Sequence, residues 1–339
     1  MRAWLLDDIT GIDALRLGEV PDPEPGPGEV RVRMRVAGLN HLDVWVTQGL
    51  PKPKEFPHIL GGDGAGTVDA VGEGVTEWVV GDEVIINPSQ SCGHCQYCTK
   101  DEMVFCSEYT ILGERVPGTL AEAIVVSAAS LFRKPSELSW DVAGTFGLAA
   151  STAYRMLDRA GLQSYETVLV VGVGGGVSSA AALIGKAIGA RVLVTSREQS
   201  KIDWAIEHGA EAGFDSATDF AKDVKELTGR GAEVVVENVG KATWDQSFRS
   251  LAPGGRMVIC GATAGNKVEL ALPVLWFKQL EIIGSTMANR SQFATTLDLV
   301  ASGKLPVPID RVFGFDHAPD ALRRLESGVQ MGKVAISFA

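Results

Sequence analysis

The chain has 339 residues, 45% of them hydrophobic, with 31 Lys plus Arg against 42 Asp plus Glu. A net charge of −11 without a long basic run argues against nucleic acid or an anionic membrane as partner. The length suits two domains rather than one core, no apolar run approaches a membrane span, and no signal-peptide pattern opens the sequence, so a cytoplasmic protein is expected.

Residues 1–20 read as a strand and its return, and Pro21 to Gly28 (PDPEPGPG) as a rigid polar turn. From Glu29 to Val36 polar and apolar residues alternate with period two, which predicts a half-buried antiparallel strand. Glycine turns and short strands continue through Gly66-Thr67-Val68 and Gly81 to Ile85, so the first hundred residues look all-β.

Cys92, Cys95, Cys98 and Cys106 follow in the order C-x2-C-x2-C-x7-C, with Gly93 to turn the chain and His94 as a competing ligand. Closely spaced thiolates on one loop suit a tetrahedral ion, and four of them leave no open position, so one structural Zn2+ is expected. Cys260 stands apart and reads as a buried strand thiol.

From about residue 150 strands alternate with helical patterns, as in a parallel sheet. Strands are expected at 168–171, 191–194, 233–237, 256–260 and 281–284, and helices at 200–208, 219–227 and 292–299. The stretch from Thr167 to Lys201 is the centre of this half: an apolar strand, a turn carrying Gly172, Gly174, Gly175 and Gly176, a helix starting near Val177, and a second strand. Backbone N–H groups of such a turn, with the helix N-terminus behind them, cradle a pyrophosphate. Val177 stands where the fingerprint has its third glycine. After the second strand come Ser196, Arg197 and Lys201 in place of the carboxylate that would hold a ribose 2′-hydroxyl, which favours NADP(H) over NAD.

The chain resembles the medium-chain dehydrogenase/reductase superfamily over nearly its whole length. The resemblance is carried by Gly61 to Val68 (GGDGAGTV), the four-cysteine lobe, Thr152-Ala153-Tyr154, the loop Gly172 to Val177, and Gly284-Ser285. It implies an α/β protein in which a GroES-like β-rich catalytic domain (1–149, completed by 287–339) accompanies a Rossmann doubly wound parallel sheet (150–286). It also implies a nicotinamide cofactor in the cleft between them, a small-molecule substrate, and a homodimer or homotetramer. Cofactor contacts are implied for Thr152, Asn238, Gly261, Ala262, Ser285 and Met287.

The zinc alcohol dehydrogenases of this superfamily carry a second, catalytic zinc. Their three ligand positions align with Asn40, Gly62 and Leu148, and their proton relay with Leu42 and Trp45, so that ion is not expected here. Gly38-Leu39-Asn40-His41-Leu42-Asp43 is instead similar to the G-L-N-x-x-D of zinc-free quinone and enoyl reductases. The expected chemistry is hydride transfer from NADPH to a quinone or an α,β-unsaturated carbonyl compound. Asn40 is the candidate hydrogen-bond donor, His41 a second donor or proton source near neutral pH, and Asp43 an orienting group. Asn40 and Asp43 read equally as a helix cap, His41 as a loop histidine, and Lys333 as either a cleft residue or a solvated lysine. Trp45, Phe146, Trp276 and Met287 are pocket or core. Two alternatives stay open: an alcohol dehydrogenase whose metal has moved to His41, Asp43 or Asp63, and an NADPH-binding protein without turnover.

Overall fold

The computed structural model describes residues 1–338, which form two compact units. The first comprises Met1–Leu148, Ala288–Ala301 and the chain from Val307 onward; the second comprises Ala149–Met287 and Ser302–Pro306.

Among the described residues the first unit is built on a seven-stranded sheet whose central strand is Glu29–Leu39. Its Val30, Val32, Met34 and Val36 are buried, while on the other face Arg31 and Arg33 both bind the cross-strand carboxylate of Asp69, at 2.8 and 2.9 Å. The alternation thus fixes which face meets the core. That core includes Leu6, Leu39, Leu60, Ile86, Leu120 and Leu131. Strand Lys333–Ser337 pairs antiparallel with Glu29–Leu39, Val334 opposite Leu39, and strand Asp63–Val71 lies on the other side with Asp63 opposite Gly38. These two registers bring Lys333, Asn40 and Asp63 to one end of three neighbouring strands. Gly38 permits the approach: a Cβ there would lie 2.9 Å from the Asp63 Cβ. The expected strand and return are the hairpin Arg2–Leu6 with Leu15–Glu19.

In the second unit six parallel strands lie in the spatial order 3-2-1-4-5-6: Ala212–Asp215, Arg191–Ser196, Thr167–Val170, Ala232–Glu237, Leu251–Ile259 and Glu281–Gly284. This is the doubly wound dinucleotide-binding order. The helix Gly176–Ile188 buries a small-residue face and ends at Gly189, which takes the left-handed cap conformation. Two of the elements that go beyond the sequence expectation show why. Ala212–Asp215 is a strand although AGFD contains no β-branched residue, because the neighbouring strand supplies its pairing. The small-residue run Gly147–Arg159 is a helix of 13 residues, with Ala149, Ala150 and Ala153 buried.

Candidate active site and metal lobe

A buried polar cluster forms where the three strands of the first unit end. The Lys333 ammonium donates three hydrogen bonds: to the Leu39 carbonyl oxygen at 3.0 Å, to Asn40 Oδ1 at 2.5 Å and to Asp63 Oδ2 at 3.1 Å. Asp63 Oδ2 also accepts from Asn40 Nδ2 at 2.9 Å, and Asp63 Oδ1 accepts from the Leu148 N–H at 2.5 Å. Lys333 and Asp63 are 4% and 1% exposed, so Lys333 is a buried ion-pair member and not a solvated lysine.

Asn40 is also the N-cap of the helix His41–Thr47, and Asp43 sits at its third position. Asp43 Oδ2 accepts from the Asn40 N–H at 2.7 Å and Oδ1 from the Gly61 N–H at 2.9 Å, which joins the helix start to the turn before Asp63. Both carboxylate oxygens of Asp43 therefore serve backbone, and its role is to orient. Burial pushes its pKa up to about 6. His41 lies elsewhere on the helix, edge-on to Trp45 with ring centroids 5.7 Å apart. Burial lowers its pKa, against a raising influence from Glu326, so the neutral imidazole, which keeps one N–H to donate, is favoured.

The positions that align with catalytic zinc ligands do converge. A Cβ at Gly62 would lie 3.1 Å from Leu148 Cδ1 and 3.9 Å from Asn40 Nδ2. The groups present there do not fit a metal. Gly62 offers no side chain, Leu148 an alkyl group, and Asn40 its amide nitrogen, since its ligating oxygen is held by an ammonium. Nor do His41, Asp43 and Asp63 form a replacement set, because the carboxylates are engaged as described and His41 packs on Trp45.

Of the four residues read as pocket or core, Phe146 and Met287 are buried and Trp45 is half-buried. Trp276 is 58% exposed on the helix Leu272–Phe277, so it is not core.

In the second unit the glycine turn is fixed first by its backbone conformation. Gly172 and Gly174 have φ of +73° and +132°, so each is required by backbone conformation. At Gly174 a Cβ would also strike Lys201 Cδ, at 2.5 Å. Gly175 caps the helix Gly176–Ile188, which carries Gly176 and Val177 in its first turn, and a Cβ at Gly175 would meet nothing within 4 Å. The open side and the N–H groups of this helix start are a cradle for an anion.

The two cations after the second strand differ. Lys201 is buried, its stem against Gly174 and its Nζ on Glu198 Oε1 at 2.8 Å. Arg197 is exposed, and among the described residues no ion pair engages it. Ser196 Oγ accepts from the Glu198 N–H at 3.1 Å. Lys201 thus shapes the turn, which leaves Arg197 as the available cation.

Asn238 Nδ2 donates to Ser178 Oγ at 2.9 Å and ties its strand end to the glycine-turn helix. Gly261 and Ala262 follow the next strand, both half-buried. Thr152 Oγ1 meets Met287 Sδ at 3.7 Å, so these two are brought together. Ser285 Oγ is buried with no partner among the described residues, an orphaned hydroxyl at the carboxyl edge of the sheet, where ligands of this fold bind. Cys260 lies one residue past the strand Leu251–Ile259 and is half-buried, so it is not the buried strand thiol expected; desolvation still pushes its thiol up to about 12, which fits an unreactive cysteine.

The four lobe cysteines have sulfurs within 4.8 Å of one another, with separations of 3.5 Å (Cys106–Cys92), 3.6 Å (Cys95–Cys98) and 3.8 Å (Cys92–Cys98). A tetrahedron of thiolates around zinc places its sulfurs about 3.8 Å apart, whereas a disulfide needs about 2.05 Å. The lobe therefore has the geometry of a closed four-thiolate metal site. His94 turns its Nδ1 to the Cys92 carbonyl oxygen at 2.8 Å and does not compete.

A doubly wound nucleotide unit together with a β-rich unit bearing a four-cysteine lobe defines a class: dinucleotide-dependent oxidoreductases. Comparison with known proteins agrees. Residues 26–136 match the alcohol dehydrogenase GroES-like domain and residues 176–302 the zinc-binding dehydrogenase family. The chain is 31% identical to an alcohol dehydrogenase of Schizosaccharomyces pombe, over 97% of this chain and 95% of that one. It is likewise 31% identical to an acryloyl-coenzyme A reductase of Sulfurisphaera tokodaii, over 95% and 96%. Among solved structures, an NAD-dependent alcohol dehydrogenase superposes with a TM-score of 0.97 at 41% identity, with all of both chains covered. A crotonyl-CoA carboxylase/reductase in complex with NADP superposes with a TM-score of 0.93 at 26% identity, over 99% of this chain and 94% of that one. The chain belongs to the medium-chain dehydrogenase/reductase superfamily, in its zinc-type alcohol dehydrogenase-like part, and is an oxidoreductase. No helix among the described residues is long and apolar enough to cross a membrane.

The sequence pointed to Asn40 and Asp43 but not to their partners. Asp63 and Lys333 are 270 residues apart in the chain, and only the strand registers bring them together.

Proposed function

We propose that the protein is an NADPH-dependent reductase of activated carbon–carbon double bonds, acting on α,β-unsaturated carbonyl compounds with enoyl thioesters foremost, and using no metal at the reacting centre. The observation that carries this is the set Asn40, Gly62 and Leu148, where an amide N–H stands in place of metal ligands. Without a Lewis acid, stabilising an alkoxide is difficult, whereas an enolate spreads its charge onto a carbonyl oxygen that a hydrogen-bond donor can hold. Asn40 Nδ2 is that donor. NADPH, when bound, supplies the hydride. Gly172, Gly174, Gly175 and the first turn from Gly176 would hold its pyrophosphate, Ser196 and Arg197 its 2′-phosphate, and Ser285 and the Thr152–Met287 pair its nicotinamide end.

The likeness to acryloyl-coenzyme A and crotonyl-CoA reductases supports this substrate class. The 41% identity with an NAD-dependent alcohol dehydrogenase favours the second reading, oxidation of alcohols. The deciding experiment follows cofactor turnover with enoyl thioesters, enals, enones, quinones and simple alcohols. Consumption of NADPH by the unsaturated carbonyls and none with alcohols is expected. Turnover with alcohols alone contradicts the proposal, and no turnover with any of them favours a non-catalytic role.

Two further outcomes follow from the same assignments. Metal analysis of protein purified without chelator is expected to give about one zinc per chain, lost on replacing Cys95 with serine; no zinc in the unaltered protein contradicts the lobe assignment. Arg197→Ala is expected to lower kcat/KM with NADPH about tenfold and to leave NADH within about twofold, since only the phosphorylated ribose needs the guanidinium. An equal loss with both cofactors would show that Arg197 does not read the phosphate.

A further inference from the structure

We infer that Lys333 and Asp63 are positioning residues that hold the Asn40 amide one way round, so that an Nδ2 hydrogen is presented as the donor to a substrate carbonyl oxygen. This rests on the reductase reading. The two ends of an asparagine amide are nearly alike in shape, so packing alone does not choose between them. Charge does. An ammonium only donates, and Lys333 Nζ lies 2.5 Å from one end of the amide; a carboxylate only accepts, and Asp63 Oδ2 lies 2.9 Å from the other. Turning the amide over would set donor against donor and acceptor against acceptor inside a buried cluster, where unmade hydrogen bonds are most costly.

Each partner is anchored independently. Lys333 is held by the Leu39 carbonyl oxygen, Asp63 by the Leu148 N–H, and the Asn40 backbone by Asp43. The amide nitrogen carries two hydrogens, and Asp63 needs one. Beside Nδ2 is the volume a Gly62 side chain would fill, whose nearest atoms are Leu148 Cδ1 at 3.1 Å, the Leu112 carbonyl oxygen at 3.5 Å and Nδ2 itself at 3.9 Å. The pair carries no net charge, so it sets the direction of the donor without attracting an anion of its own. The ammonium on Oδ1 also polarises the amide and strengthens the remaining N–H.

The test compares Asn40→Asp, Lys333→Arg and the double variant Asp63→Asn/Lys333→Met. Removing both charges together leaves no unpaired buried ion, so the double variant is expected to fold. It also removes what holds the amide, because the second amide introduced by Asp63→Asn can face Asn40 with either end. With crotonyl-CoA, kcat/KM is expected to fall about a hundredfold in Asn40→Asp and in the double variant, the loss of one oriented donor. The KM for NADPH is expected to stay within about twofold, and Lys333→Arg to retain most activity. Unchanged kcat/KM in the double variant overturns the inference.

A second readout does not depend on turnover. In the unaltered protein the Nδ2 hydrogen of Asn40 that faces Asp63, identified in amide NMR spectra by its loss in Asn40→Asp, is expected to lie downfield and to exchange slowly with solvent deuterium, and to lose both properties in the double variant. If unsaturated carbonyls are not reduced at all, the reductase reading fails, while a downfield, protected hydrogen still upholds the positioning. An Asn40 amide in the unaltered protein with the shift and exchange rate of a solvent-exposed asparagine overturns it.

Discussion

Glu166→Ala is expected to destabilise the nucleotide unit by about 3–5 kcal/mol, the cost of leaving a buried charge without its partner. Glu166 and Arg256 form a two-pronged pair at 2.8 and 2.7 Å, with side chains 10% and 16% exposed. Arg256 also donates to the Ala160 carbonyl oxygen at 2.7 Å, and the Glu166 carbonyl oxygen accepts from the Arg191 N–H at 2.9 Å. The pair therefore joins the end of the helix Gly147–Arg159, the strand leading into the glycine turn, and the fifth strand of the sheet. The Arg256 guanidinium holds the Glu166 pKa below its ordinary value, so this stabilisation is present at neutral pH and is lost as pH falls through the carboxylate range. A fall of roughly 10 °C in thermal midpoint is the expected signature. Replacing both residues by methionine is expected to recover most of it, because no charge is then left unpaired. A single variant as stable as the unaltered protein would show that the pair contributes nothing.

Asp43 is expected to act in the opposite sense with pH. Its pKa is raised to about 6 by burial, opposed by the N–H groups of Asn40 and Gly61 and by Lys333, with Asp63 adding to the rise. The folded chain thus holds this proton more tightly than the unfolded chain, whose aspartate titrates near the ordinary 3.8. Stability from this group is full below that range and declines as pH rises through about 6, by about 3 kcal/mol in all. Carboxylates such as Glu166 and Asp310, with lowered pKa, slope the other way, so the total curve hides the effect. The comparison with Asp43→Asn isolates it. In urea unfolding at a series of pH values, the stability difference between the two proteins is expected to shift against the unaltered chain by about 3 kcal/mol between pH 3 and 7. A difference independent of pH would mean that Asp43 titrates normally.

The features that could be read from the sequence are those whose physical cause is local. Gly172 and Gly174 announce a turn because only glycine takes their positive φ without strain, and the short β-branched apolar run before them reads as a buried strand. The four cysteines announce a metal lobe because their ligands lie within one loop. What stayed hidden depended on partners distant in sequence. Nothing near Lys333 in the chain separates a cleft residue from a solvated lysine; strand pairing does, by placing it against Asn40 and Asp63. Lys201 looked like a second phosphate-binding cation, yet it pairs with Glu198 three residues earlier and packs on the glycine turn. His41 was attractive by its position beside Asn40, but the helix turns its ring to Trp45, one helical turn further on. The edge strand Ala212–Asp215 has no pattern of its own, and its pairing partner alone makes it a strand.

The central claim is that two electrons pass as hydride to a carbon–carbon double bond with no metal on the reacting molecule. The most direct measurement transfers label from NADPH deuterated at the hydride position to crotonyl-CoA, using protein whose metal content has been counted. The account predicts a saturated thioester labelled at the β-carbon, formed at full rate by protein holding about one zinc per chain. A second ion per chain whose removal abolishes the reaction, or label found only on the carbinol carbon of an alcohol formed from an aldehyde, would contradict it.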